Sequence, residues 1–76
     1  MEEIDMQQIL DGILAAIEDE VRAQKHYAML AERAEDPEVK KLFEQLKIEE
    51  ENHEKVLRNR YEAFSKMLKT AKGEGV

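Results

Sequence analysis

The sequence predicts an all-α fold, an antiparallel hairpin of two long helices whose second copy completes a four-helix bundle. Three observations predict it. Proline occurs once in 76 residues, at Pro37 near the midpoint, so helix breaking is confined to one place. Both flanking segments are rich in Ala, Leu, Glu, Gln, Lys and Met, the good helix formers. Each also carries an apolar pattern that advances by alternating steps of three and four, the period of a bundle helix rather than a strand.

The first helix is expected over about residues 3–34, interrupted only by Gly12. Its seam reads Met6, Leu10, Ile13, Ile17, Glu20, Gln24, Tyr27, Ala31 and Ala34, with Ile9, Ala16, Ala23 and Leu30 on one flank and Leu14, Val21 and Ala28 on the other. In "AERAEDPEVKK", Asp36 followed by Pro37 and Glu38 reads as an N-cap with proline at the first helical position, which places a turn at about residues 35–37. The second helix is expected over about 37–71, on a seam of Val39, Phe43, Leu46, Glu50, His53, Leu57, Arg60, Phe64, Met67 and Ala71. The hairpin takes residues 1–72, and "GEGV" at 73–76 reads as a flexible tail. Two helices cannot cover apolar arcs this wide, so a homodimer is expected.

Composition narrows the chemistry. With no cysteine, disulfides, thiolate zinc sites, iron–sulfur clusters and cysteine nucleophiles are excluded, and any redox cofactor must be held by nitrogen and oxygen. A net charge of −6 argues against nucleic-acid and anionic-membrane partners and favours cations. The start "MEEID" and the short apolar runs suggest neither signal peptide nor membrane span, so a soluble cytoplasmic protein is expected.

Most charged residues fall off the seams, where pairs such as Glu18–Arg22, Glu51–Lys55 and Glu54–Arg58 add a few tenths of a kcal/mol each. Glu20, Glu50, His53 and Arg60 fall on them. Arg60 can reach water along its stem; the other three lie mid-helix, where an ionised group must be paired, protonated or metal-bound. At a rise of about 1.5 Å per residue from Asp36, Glu20, Glu50 and His53 lie roughly 24, 21 and 25 Å from the turn, on one level. In "LKIEEENHEKVL", Glu50-x-x-His53 sets a carboxylate and an imidazole one turn apart. Two carboxylates and one imidazole suit iron or manganese better than a closed zinc site, and a twofold axis doubles them to the set of a di-iron carboxylate bundle. The competing structural reading pairs Glu20 with His53 as a buried hydrogen bond that fixes register. Glu18, Asp19, Glu49, Glu51 and Glu54 read as solvated face, and as charges that draw cations in. His26 reads as a boundary histidine; Met29 and Ile48 fall outside both seams, where they suit contacts between dimers.

The run "EVRAQKHYAMLAERAEDPEVKKLFEQLKIEEENHEKVL", residues 20–57, resembles the ferritin-like superfamily in its rubrerythrin-type form, with a Glu followed seven residues later by a Tyr, then a Glu-x-x-His. The nearest likeness is to the short encapsulated ferritins, in which a single hairpin dimerises around the iron site. The resemblance implies Glu20, Glu50 and His53 as catalytic iron ligands, Glu50 as the bridging carboxylate and Tyr27 as outer support. It implies two irons per dimer, for which manganese or zinc could substitute, and ferroxidase activity in iron storage or detoxification. A ring of dimers and an encapsulin shell protein enclosing it are further implied partners. The alternatives are a rubrerythrin-like peroxide-reducing protein and a non-catalytic dimerisation module. Rubrerythrins proper also carry a second Glu-x-x-His hairpin and a cysteine-ligated iron, neither of which this chain has; its tail "KTAKGEGV" does not resemble a shell-docking peptide.

Overall fold

In the computed structural model, which describes residues 5–71, the chain is two α-helices, α1 (Met6–Arg33) and α2 (Pro37–Ala71), packed antiparallel. The expected start of the first helix at about residue 3 lies outside the described residues, as does the tail. Within them, Asp5 is the N-cap of α1. Its Oδ1 accepts from the Gln8 amide at 2.8 Å while Gln8 Oε1 accepts from the Asp5 amide at 2.9 Å, a reciprocal box that satisfies two donors the first turn leaves free. At the other end the Ala34 amide donates to the Leu30 carbonyl at 2.9 Å, and Ala34 is extended (φ −69°, ψ 127°). Asp36 then starts α2, its Oδ1 accepting from the amides of Glu38 (2.8 Å) and Val39 (3.2 Å). Pro37 opens the helix where no amide donor is missed.

The packing bears out the seam read for the first helix and corrects that of the second. Among the described residues Leu10, Ile17 and Ala31 are the buried hydrophobic ones, and the rest of the first seam, Met6, Ile13, Glu20, Gln24, Tyr27 and Ala34, is half-buried. The line of contact on α1 runs through Leu10, Ile17, Val21, Gln24, Ala28 and Ala31; on α2 it runs through Phe43, Glu50, Glu54, Leu57, Tyr61, Phe64 and Leu68, all buried or half-buried. Val39, His53, Arg60 and Met67, expected on the buried seam of the second helix, are exposed. The reason is geometric: one helix covers only one line of its partner, so an apolar arc wider than that line extends onto an open face.

The hairpin therefore has two unlike sides. One carries Ile9, Ile13, Ala16, Glu20, Ala23 and Leu30 from α1, and Val39, Leu42, Leu46, His53, Val56 and Met67 from α2, at intervals of three, four or sums of the two. Leu42, Val56 and Met67 on this side are each about half exposed. The opposite side is dominated by charge, with the Arg22–Glu18, Lys47–Glu51 and Arg58–Glu54 pairs along it. Glu51 pairs with Lys47 at 3.9 Å rather than with the expected Lys55. Met29 and Ile48 are exposed. No described helix is long and apolar enough to cross a membrane.

Candidate metal centre

Glu20 of α1 and Glu50 and His53 of α2 come together where the two helices meet on the apolar side. Each offers one ligand atom, and these atoms all lie within 4.8 Å of one another. The local reasons are simple. Glu50 and His53 are three apart on one helix and share a face, and the antiparallel packing of α1 on α2 brings Glu20 to their level. His53 turns Nδ1 inward, 3.3 Å from Glu50 Oε1 and 3.5 Å from Glu20 Oε2.

Burial is uneven across the three. The Glu20 and Glu50 side chains are 21% and 22% exposed, His53 59%, so the carboxylates line the floor and the imidazole stands at the rim, open to solvent in a single hairpin. Glu20 Oε2 is buried with no well-formed hydrogen bond to it, the His53 nitrogen standing 3.5 Å away. The Glu20 carboxyl is pushed above its ordinary value, first by Glu50, which hydrogen-bonds its protonated form, then by burial and by repulsion from the Glu50 charge; His53 pulls it back in part. Two carboxylates this close favour sharing a proton or a cation.

These residues fit a first-row divalent metal. An orphaned buried oxygen costs free energy in the metal-free chain and becomes a ligand when a cation enters. The mixed oxygen and nitrogen donors suit iron and manganese. Three protein ligands leave coordination positions that this hairpin does not fill, whereas a closed structural zinc site needs four.

Behind the cluster lies a polar group whose role the sequence did not disclose. Gln24, placed on the seam but given no part, donates from Nε2 to Glu54 Oε1 at 2.7 Å and, at a longer 3.4 Å, to the main-chain carbonyl of Glu50. Arg58 Nε donates to Glu54 Oε2 at 2.6 Å. Gln24 and then Arg58 hold the Glu54 carboxyl below its ordinary value. Glu54 is thus part of the hairpin interior, not the solvated face on which it was expected. The available signal was spacing: Gln24 is one turn beyond Glu20, and Glu54 one turn beyond Glu50. Tyr27, expected as outer support, stacks on Phe43 (centroids 6.3 Å apart, 18° between planes), and its ring also meets that of His26 at 5.9 Å. His26 is exposed, and so are Glu18, Asp19, Glu49 and Glu51.

Comparison with curated proteins and with solved structures returned no match. Residues 11–75, which include all three candidate ligands and Tyr27, match the Rubrerythrin family. With a carboxylate and histidine cluster of the kind that binds iron at its centre, the chain belongs to the rubrerythrin family of di-iron proteins.

Proposed function

We propose that the protein is a di-iron ferroxidase, oxidising Fe(II) for iron storage or detoxification at a site shared by two copies of the chain. The observation that carries the reading is the position of the cluster. Glu20, Glu50 and His53 sit at the inner edge of the apolar side, so a second hairpin laid on that side by a twofold axis supplies three more ligands. Four carboxylates and two imidazoles would then be available to hold two irons. The exposed apolar residues support a second copy: Leu42, Val56 and Met67 on that side are each about half exposed.

Bound iron supplies the electrons that pass to oxygen or peroxide. The chain supplies ligands, charge and proton exits. The carboxylates of Glu20 and Glu50 would neutralise the charge of a bound cation and give up the proton they favour sharing. His53 Nδ1 would bind as the neutral imidazole nitrogen. Glu18, Asp19, Glu49 and Glu51, all exposed near the ligands, raise the local concentration of the Fe(II) substrate.

Fe(II) added in air should produce the near-ultraviolet absorbance of a ferric carboxylate centre. Glu50→Ala or His53→Ala should abolish it. Wild-type protein that remains iron-free by elemental analysis after loading overturns the reading, and peroxide consumed in excess of iron oxidised, given a reductant, replaces it with a peroxidase.

A further inference from the structure

We infer that Gln24 is a positioning residue of the metal centre, a polar strut across the hairpin that sets the axial register in which Glu20 meets Glu50 and His53. The inference rests on the metal-centre reading above and goes beyond its ligands.

The ligands come from two helices, so their convergence depends on how α1 and α2 are aligned along their lengths. A slip of one helical turn moves one helix by about 5.4 Å, more than the 4.8 Å within which all three ligand atoms lie. The short turn aligns the helices at its own end, but Gln24 lies roughly 18 Å from it along α1, and apolar contacts there are non-directional. A polar residue on a helical seam, by contrast, has few partners and can fix register. Outside the ligand cluster itself, where Glu20 meets Glu50 and His53, the described side-chain hydrogen bonds from α1 to α2 are the two made by Gln24.

Their chemistry is directional. A carboxylate and a main-chain carbonyl can only accept, so the amide end of Gln24 faces them, and its two N–H groups match two acceptors. One acceptor is the carbonyl of Glu50 itself. The other, Glu54, follows His53 directly and is held from its far side by Arg58. Arg58, Glu54 and Gln24 thus form a chain that runs from the charged side of the hairpin to the back of the cluster. It ties α1, one turn from Glu20, to the turn of α2 that bears Glu50 and His53.

The test uses Co(II) as the probe metal on the full chain. Gln24→Met keeps the length of the side chain and removes both donors. It should weaken Co(II) binding roughly 10- to 100-fold, the usual cost of losing an outer support of a metal site, and should alter the visible bands that report coordination geometry. Glu54→Gln, which keeps an oxygen for Gln24 to donate to, should preserve most of the affinity, while Glu54→Leu should not. Val21→Ala, on the same contact line but without a polar bond, should lower stability and leave the bands unmoved. Should Gln24→Met fail to fold, the metal-free wild type gives the answer by NMR: the Gln24 side-chain amide protons should be protected from exchange, and exchange at the rate of a free amide overturns the strut. Wild type that takes up no Co(II) overturns the metal centre and the strut's role with it. Normal uptake, with unchanged affinity and bands in a folded Gln24→Met, overturns the strut alone.

Discussion

Glu20 holds a buried oxygen with no well-formed hydrogen bond to it in the metal-free hairpin, and its proton affinity is raised by Glu50 and by burial. A buried unsatisfied acceptor costs about 1–3 kcal/mol, and partial exposure puts this one at the low end. Glu20→Gln should therefore stabilise the metal-free protein by about 1 kcal/mol, read in a denaturant titration, while abolishing iron uptake. The pH dependence has a definite sign. Because the folded value of Glu20 lies above the ordinary 4.5, the native state holds an extra proton in the window above 4.5. Stability is thus lost as pH rises through that window. Glu54 acts oppositely: its value lies below 4.5, and the stability it contributes is lost as pH falls through the window below. Glu20→Gln should flatten the first slope and Glu54→Gln the second. The convergence of Glu20, Glu50 and His53 was legible from height and spacing, since both follow from helix geometry alone. Gln24 and Glu54 were not, because a one-residue ambiguity in which face a helix buries moves Glu54 from solvent to interior.

At the scale of the helices, the termini are specified by short polar motifs. Asp36 accepts two amide donors of α2, so Asp36→Ala should cost about 1 kcal/mol of hairpin stability, measured by chemical unfolding. Asp-Pro-Glu made that boundary readable in advance. The Asp5 and Gln8 box was equally present as Asp-x-x-Gln, yet helix-forming residues on either side obscured where the cap falls. Gly12 lies inside α1, and a methyl group built there meets nothing within 4 Å. Gly12→Ala should therefore raise stability by about 0.5–1 kcal/mol, since alanine loses less backbone freedom on folding. A smaller gain, or a loss, would mean that a partner chain packs against this position.

At the scale of the molecule, the hairpin measures 59 × 28 × 14 Å, little more than one helix thick, and is apolar on one side and charged on the other. Hydrophobic periodicity revealed an excess of apolar surface but not how it is shared, because the same three-four spacing serves the contact inside the hairpin and the open side. Leu42 separates the two. It is 54% exposed and lies roughly 16 Å along α2 from His53, too far to touch a metal there. In a lone hairpin Leu42→Glu is a surface change and should alter stability by no more than about 0.5 kcal/mol. If a second copy covers this side, the same substitution buries a charge in the interface. Sedimentation equilibrium should then show the variant as monomer at concentrations where wild type is dimeric. Iron binding should fall in parallel, because half of each ligand set comes from the other chain, and metal in turn should drive wild-type association by mass action. A Leu42→Glu protein that stays monomeric yet binds iron as tightly as wild type would place the whole centre within one hairpin.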